Sequence, residues 1–381
     1  MEFLGYKRED GRFGVRNHVL VMSSVNCANG VVEAIGRTLP AVVAVTYPYA
    51  CDREPHPIAM RVLTGMMNNP NVGAVITIGL GCEGMTAELL AEAVQDKPAE
   101  SVVIQRDGGS TATTAKGIEI ATRFLREVKA QQREPAPVSE LVVGLECGGS
   151  DALSGVTANP AVGAAADFFV HEGATAILGE TTEMIGTAHI LKRRGATSEL
   201  GEQVEWLVNQ TEKKVRIALG DRAGMIIAAG NIEGGLSSIT EKSLGCIMKG
   251  GSTPIHEVVS YASRPSKRGL IVMDTPGADV ASMAGFAAGG AQIIFFTTGR
   301  GSSAGFPAIP VIKVATNSRM YSNQPGDMDV NAGSVIDKGK TVSAVGRELF
   351  DLALRVANGQ QTCAEVNRSA PFIYSREQLI L

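Results

Sequence analysis

Several apolar runs of this sequence end at a thiol or a carboxylate, the side chains that bind metals and transfer protons. In "LVVGLECGGS" the run stops at Glu146 and Cys147, and in "ATAILGETTE" it stops at Glu180, with Glu183 at i, i+3 spacing. Helix caps favour Asp, Asn, Ser and Thr, so capping does not explain Cys and Glu at these positions. We therefore predict a metal site built from residues that follow strands.

The mixture of ligand types leaves the metal open. Carboxylate and amide oxygens favour Mg(II), Mn(II) or Fe(II), whereas thiolates favour Zn(II) or an iron–sulfur cluster. Three or four separated cysteines could hold such a cluster, and the candidates are Cys27, Cys51, Cys82 and Cys147. Because these cysteines form no C-x-x-C motif, their spacing does not decide between the alternatives.

Other polar groups near the strand ends are candidates for proton transfer. Lys242, which follows Glu241 in "SSITEKSLG", could transfer a proton if desolvation lowers its pKa. The alternative is that both charges lie on the exposed start of a capped helix. His189 lies on the helix predicted after "GETTE", although ordinary burial statistics favour a structural role for it.

Two glycine-rich loops, "RDGGST" and "ECGGSDALSG", follow predicted strands but lack the spacing of nucleotide-binding motifs. Their backbone amides at helix N-termini could still bind a carboxylate, sulfonate or phosphate. Arg300, which is flanked by glycines, could bind such a group bidentately, unless "GRGSSAGFP" is only a flexible turn. The candidates for substrate binding are Gly108, Gly109, Ser150, Asp151, Arg300 and Asn317.

Short apolar runs with helical stretches between them predict the parallel strands that would position these residues. The runs are apolar throughout, so we expect helices on both faces of the sheet. They span residues 18–25, 41–48, 73–80, 101–105, 141–146, 174–180, 224–231, 269–276, 292–299 and 311–317. The fold class predicted is α/β, with a mostly parallel sheet flanked by helices.

The composition fits a globular chain of two domains, with 381 residues of which 44% are hydrophobic and 19% charged. A net charge of -4 argues against nucleic acid as a partner. No apolar run approaches the ~20 residues of a membrane span, and the first residues have no signal core, so we expect a soluble cytoplasmic protein. The Pro- and charge-rich connector 129–140 predicts domains at 1–132 and 138–381.

Taken in order, the motifs resemble the galactarate dehydratase/altronate dehydratase family, which includes the large subunit of (2R)-sulfolactate sulfo-lyase. The resemblance covers nearly the whole chain and rests on "YKREDGRFGVRNHVLVMSSVNCAN", "IGLGCEG", "IQRDGGST", "ECGGSDALSGVTANPAVG", "GETTE", "GNIEGGLSSITEKSLG", "MDTPG" and "PVIKVATN". It implies a lyase that removes water, or sulfite in the sulfo-lyase branch, from a hydroxylated carboxylic acid. It further implies a Rossmann-like C-terminal domain with the metal site and an N-terminal domain that contributes to a homodimer.

The resemblance also carries expectations about cofactor and partner. Fe(II) is the expected metal, with Mn(II) or Mg(II) as alternatives. Full-length family members begin with a small β-clip (SAF) module that has no counterpart here, so a separate small subunit is expected to supply it.

The chemistry of β-elimination assigns roles to individual residues. A metal stabilises the enolate while one group removes the α-proton and another assists the leaving group. The metal ligands predicted are Glu146, Cys147, Glu180, Glu183 and Asp274, and the proton-transfer candidates are Lys242, His189 and Glu241. The competing hypothesis from another class is a nonenzymatic Rossmann-like ligand-binding subunit that holds no metal.

Overall fold

The computed structural model describes residues 1–220 and 226–376, with three sheets and helices packed around them. The strands β1 to β14 are Glu2–Lys7, Phe13–Gly14, His18–Ser23, Val43–Val45, Val72–Gly79, Ala99–Val103, Glu134–Pro137, Val142–Cys147, Thr175–Leu178, Ile255–Val259, Gly269–Met273, Ile293–Thr298, Val311–Ala315 and Val330–Asn331. The helices α1 to α14 are Asn29–Thr38, Pro57–Met67, Ala87–Glu92, Gly109–Ala130, Ala158–His171, Ala188–Lys192, Ser198–Leu219, Ala229–Glu233, Ile239–Cys246, Asp279–Ala288, Ser318–Asn323, Ser334–Asp337, Val342–Ala357 and Cys363–Val366. Short 3₁₀ turns lie at Asn26–Ala28, Val138–Glu140, Thr181–Met184 and Ile247–Gly250.

The larger sheet has seven strands in the order β10-β11-β9-β8-β12-β13-β14, and every pair in it is parallel. The chain adds β9, β10 and β11 on one side of β8 and then returns to add β12 on the other side. The strand order therefore reverses at β8. In open parallel sheets, ligands bind outside the carboxyl ends of the strands at such a reversal.

The central strands of this sheet are apolar on both faces because helices cover both faces. Strands β9, β11, β12 and β13 are buried at every residue. On one face Phe295 of β12 packs against Phe169 of α5, with ring centroids 6.1 Å apart. On the other face Phe296 belongs to a core that also contains Phe286 of α10. The continuous apolar pattern of the sequence is therefore the pattern of a two-faced core.

A second parallel sheet, in the order β4-β3-β5-β6, is formed by residues 18–103. Buried amide side chains join it to the larger sheet's helices and loops. Asn69 donates hydrogen bonds to the carbonyl groups of Ala287 and Ala291, and Asn71 donates to those of Gln292 and Ala308. These buried bonds fix how the two sheets are placed relative to each other.

The connector predicted at 129–140 also contains a strand. Its residues Glu134–Pro137 form β7, which pairs antiparallel with β1, and β1 pairs on its other edge with β2. The N-terminal strand is therefore tied to the segment that leads into β8.

The α/β fold class with a mostly parallel, helix-flanked sheet is confirmed, and nine of the ten predicted runs overlap a strand. The run 224–231 is wrong as a strand over its described part, because residues 226–228 have no regular structure and α8 begins at Ala229. Residues 224 and 225 lie outside the described residues. Ile227 is apolar because it packs in a small cluster with Ile185, Val215 and Ile239, away from any sheet.

Within the described part of the chain, no helix is long and apolar enough to cross a membrane.

Candidate active site

Glu146 and Cys147 are the last two residues of β8, at the point where the strand order reverses. Side chains alternate along a strand, so these two face opposite sides of the sheet edge. The backbone N–H of Cys147 donates a hydrogen bond to Glu180 Oε2 at 3.0 Å. The edge of β8 is thereby joined to the segment that follows β9.

Glu180 adopts a left-handed conformation with φ 65° and ψ 58°, which is uncommon for a residue other than glycine. Its N–H donates to Thr275 Oγ1 at 2.6 Å, and the N–H of Thr181 donates to the Thr275 carbonyl at 3.0 Å. These bonds hold the strained residue in place. Strained backbone of this kind clusters at functional sites. The 3₁₀ turn that follows then brings Glu183 back toward Cys147.

Helix α9 supplies two further side chains, Lys242 and Cys246, whose i, i+4 spacing places them on one face. Ser238 caps this helix by accepting a hydrogen bond from the Glu241 N–H at 3.3 Å. The Cys246 thiol donates to Glu183 Oε2 at 2.6 Å, and Lys242 Nζ forms an ion pair with Glu183 Oε1. Glu183 is therefore bound by a thiol on one side and an ammonium on the other.

Cys147, Glu183 and Cys246 form a group that could hold a metal ion. One ligand atom from each lies within 4.8 Å of the other two, and all three residues are buried. A hydrogen bond from Cys246, together with the charges of Lys249 and Lys242, lowers the pKa of Cys147 well below its usual value despite burial. Two thiols and one carboxylate suit Zn(II) or Fe(II) better than Mg(II).

Next to this group, a fully buried ion pair joins Lys249 Nζ to Glu180 Oε2, and both side chains have 0% exposure. Burial raises the pKa of Glu180 and of neighbouring Glu146 well above the usual range of a carboxyl group. Neither oxygen of Glu146, nor Oε1 of Glu180, has a partner in good hydrogen-bond geometry, although Ser282 and Glu180 lie close enough to Glu146 to lower its pKa in part. Buried carboxylates without partners are costly, so they indicate a position where a proton or a cation is held.

Asp279, the first residue of α10, lies beside the same group. A Cβ added at Gly148 would come within 3.0 Å of Asp279 Oδ2 and within 2.4 Å of Phe296 Cε1, so the glycine is what lets this carboxylate approach the edge of β8. Burial, reinforced by the charges of Glu183 and Cys147, raises the pKa of Asp279 to about 6. A carboxylate with a pKa near neutrality suits general-base chemistry.

Of the five predicted metal ligands, Cys147 and Glu183 belong to the three-residue group, whereas Glu146 and Glu180 neighbour each other beside it without belonging to it. The fifth, Asp274, accepts a hydrogen bond from Thr181 Oγ1 at 2.8 Å and lines a groove with Trp206, and the three-residue group does not include it. Of the four cysteines considered for a cluster, only Cys147 belongs to this group. The other three are exposed thiols: Cys27, Cys51 and Cys82.

The predicted substrate-binding residues have diverse surroundings. Ser150 Oγ lies 3.0 Å from Cys147 Sγ, next to the metal-binding group. Asp151 accepts hydrogen bonds from Thr316 Oγ1 and Asn317 Nδ2, and Asn317 also caps α11, so both have structural contacts. Arg300 is exposed and pairs with Glu233 at 2.8 Å. The remaining two lie at the start of α4, in the part of the chain with the four-stranded sheet: Gly108 is the N-cap and Gly109 is the first helical residue.

Of the three proton-transfer candidates, only Lys242 contacts the group. Burial alone would lower its pKa, but Glu183 and the two thiols outweigh burial and raise it. His189 is exposed on α6. Glu241 is exposed and accepts hydrogen bonds from the N–H and hydroxyl of Ser237.

Sequence reasoning missed Cys246, Lys249 and Asp279. The i, i+4 spacing from Lys242 to Cys246 on one helix was a usable signal. Asp279 lies in the loop-to-helix transition after β11, at the first residue of α10, where an acidic residue reads as an ordinary helix start. Lys249, in the apolar stretch "GCIMKGG", carries no signal, because its burial depends on the partner Glu180.

The fold is an α/β fold with the candidate site at the reversal of strand order, and two family models match this chain. Residues 138–379 match the C-terminal domain of D-galactarate/altronate dehydratase, and residues 5–129 match the second domain of D-galactarate dehydratase/altronate hydrolase. The chain therefore belongs to the galactarate dehydratase/altronate dehydratase family, and it is a lyase.

Individual relatives are similar over most of the chain. Altronate dehydratase of Bacillus subtilis is 34% identical, over 96% of this chain and 76% of the relative. Galactarate dehydratase (L-threo-forming) of Escherichia coli is 37% identical, over 94% and 73%. The (2R)-sulfolactate sulfo-lyase subunit beta of Chromohalobacter salexigens is 35% identical, over 98% and 97%.

Proposed function

We propose that this lyase catalyses metal-dependent β-elimination of water from a hydroxylated carboxylic acid of the altronate or galactarate type. The observation that carries the proposal is the Cys147–Glu183–Cys246 group, with Lys242 and Asp279 beside it. Elimination needs an acid, a base and a cation for enolate charge. Lys242 and Asp279 can serve as acid and base, and Cys147, Glu183 and Cys246 could hold the cation.

The donor set fits a divalent metal. Cys147 is held toward the thiolate form, and Glu183 and Cys246 lie within reach of the same point. Fe(II) is the ion we propose, because two thiols with one carboxylate suit a borderline metal. When bound, the ion would polarise an oxygen of the substrate and stabilise the enolate.

Asp279 is proposed as the base that takes the α-proton, at one of its carboxylate oxygens. Its pKa of about 6 leaves it ionised at neutral pH while it is still basic enough to accept a proton. Lys242 is proposed as the acid, because its ammonium has 10% exposure and is held next to the group by Glu183 and Asn231. The buried Lys249–Glu180 pair holds the Cys147 backbone in place through Glu180 Oε2.

The proposal is tested by assaying the anaerobically purified chain with Fe(II), alone and with a co-expressed β-clip subunit, against altronate, galactarate and (2R)-sulfolactate. A 2-keto-3-deoxy acid formed from altronate or galactarate, with loss of turnover after chelation, supports dehydration. Absence of product from every acid, with Fe(II) bound, would refute the proposal.

Sulfolactate elimination is the second candidate, because the sulfo-lyase relative aligns with this chain over nearly the full length of both. Pyruvate and sulfite formed from (2R)-sulfolactate would select it.

The sulfo-lyase relative is named as a subunit, so we extend the proposal to a small partner subunit. We also propose a homodimer of the present chain. Light scattering of the co-purified complex measures both.

A further inference from the structure

A groove runs between helix α7 and the end of the edge strand β10. Residues 258–260, which end β10, line one wall together with Asp274, which directly follows β11. The groove therefore lies at the carboxyl edge of the parallel sheet, where ligands bind in folds of this kind. Its volume of about 440 Å³ is within the range of about 300–1,000 Å³ that small-molecule sites have.

The other wall of the groove is one row of side chains on α7. Gln203, Trp206, Gln210 and Lys214 line the groove and are spaced by three or four residues, so they lie on one face of the helix. Trp206, the single tryptophan of the chain, is 64% exposed on this face. The core face of α7 is a different row, to which Val208 belongs. The packing of α7 on the sheet therefore does not explain the position of Trp206.

Asp274 is the charged group of the facing wall. Its N–H donates a hydrogen bond to the Val259 carbonyl at 2.9 Å, and its Oδ1 accepts one from Thr181 Oγ1 at 2.8 Å. Burial raises the pKa of Asp274, and the hydrogen bond from Thr181 and the charge of Lys214 partly offset this rise. A carboxylate and an ammonium therefore lie on opposite walls of one groove.

These groups define a class of ligand. The Asp274 carboxylate accepts hydrogen bonds from hydroxyl groups, and the amides of Gln203 and Gln210 both donate and accept them. Lys214 supplies the positive charge that a carboxylate requires, and the ring of Trp206 offers an apolar face to C–H groups. An acid that carries several hydroxyl groups has a partner for each of these side chains.

A protein surface is the other occupant that an exposed tryptophan could indicate, because tryptophan is frequent among the residues that dominate protein interfaces. The centres of such interfaces are depleted of lysine, and their polar groups lie at the rim. Trp206 instead has Gln203, Gln210 and Lys214 along its own face of the helix. These polar neighbours favour a small hydroxylated ligand over a protein surface.

We propose that the groove between α7 and β10 binds a polyhydroxylated carboxylic acid, at a site separate from the Cys147–Glu183–Cys246 group. Binding there does not depend on turnover, because neither the metal-binding group nor the proposed acid and base line the groove. The hydrogen bond from Thr181 to Asp274 connects the groove to the turn that carries Glu183.

The test uses the emission of Trp206, which moves to shorter wavelength when a ligand displaces water from the indole. The full chain, freed of metal by anaerobic dialysis against a chelator, is titrated with altronate and with galactarate. We expect a saturable shift with at least one of them. Adipate, which has the chain length of galactarate but no hydroxyl group, should bind at least about tenfold more weakly. No saturable shift with either acid, or equally tight binding of adipate, would overturn the proposal.

A pair of lysine variants tests the α7 wall without disturbing the core. Lys214→Met should weaken binding of the acid by about tenfold, because it removes the positive charge from the groove. Lys213→Met changes the neighbouring exposed lysine, which does not line the groove, and should bind like the wild type. Equal affinity of the two variants would contradict the assignment of Lys214.

Cys246→Ser separates this site from the proposed function, because it should lose the bound ion and keep the Trp206 response. Loss of the response in this variant would mean that Trp206 reports on the active site, and the proposal would be wrong. A response that persists in a chain without turnover supports the proposal and counts only against the proposed function. Trp206 emission that changes on dilution of the ligand-free chain would indicate a protein surface in the groove and would also overturn the proposal.

Discussion

The Cys246 thiol donates a hydrogen bond to Glu183 Oε2 at 2.6 Å, so the end of α9 and the turn after β9 meet in one metal-binding group. We predict that Cys246→Ser weakens metal binding by about ten- to hundredfold, because serine is a poor ligand for a borderline metal at neutral pH. Metal content per chain after dialysis measures the effect. Cys363→Ser lies outside the group and should bind metal like the wild type; equal metal retention in both variants would contradict the assignment of Cys246.

Asp279 leads to a prediction about pH. Without a bound ion its pKa is about 6, because burial and the charges of Glu183 and Cys147 raise it. A cation held by Glu183 and Cys147 would offset their charges, so the acid limb of kcat/KM, where the carboxylate form is lost as pH falls, should lie above the usual carboxyl range and at or below about pH 6. Asp279→Asn should lower kcat by about 10²- to 10⁴-fold and remove this limb, while metal content stays unchanged. An acid limb that persists in the variant would show that another group is the base.

Gly148 predicts a steric effect on the same carboxylate. Alanine at this position would place its Cβ within 2.5 Å of Phe296 Cζ and 3.0 Å of Asp279 Oδ2, so one of them must move. A shift of about 1 Å in a catalytic group can cost about 100-fold in rate. We expect Gly148→Ala to lower kcat by about 10- to 100-fold with metal still bound. Gly326→Ala, whose Cβ would meet nothing within 4 Å, is the control and should leave kcat unchanged.

The sheet was predictable from the sequence because its strands are buried on both faces, so hydrophobicity alone marks them. The run 311–317 was found even though it contains Lys313, which is fully buried with its Nζ 3.0 Å from the Ser302 carbonyl and 3.9 Å from the centre of the Phe296 ring. Strand β10, in contrast, is half-buried at the edge of the sheet and was missed.

The site was predictable only where it lies at a strand end. Glu146 and Cys147 end β8, and Glu180 and Glu183 follow β9, so the order of the strands brings these segments to the same edge of the sheet. Cys246 and Lys249 reach the site through the packing of α9 and of the following turn against the turn 181–184 and α5. Such contacts between elements distant in the chain leave no local pattern in one sequence.

The buried pair of Lys249 and Glu180 gives the last prediction. Both side chains have 0% exposure, so removing one partner leaves an uncompensated buried charge. Lys249→Met should destabilise the metal-free protein by about 3–5 kcal/mol, and Glu180→Gln should recover part of this loss when added to it. Denaturant unfolding of the two single variants and the double variant measures the coupling. Lys192→Met breaks the exposed pair with Glu205 and is the control, which should leave the free energy of unfolding nearly unchanged. Additive losses in the double variant would show that Lys249 and Glu180 do not stabilise each other, and that another group compensates the buried ammonium.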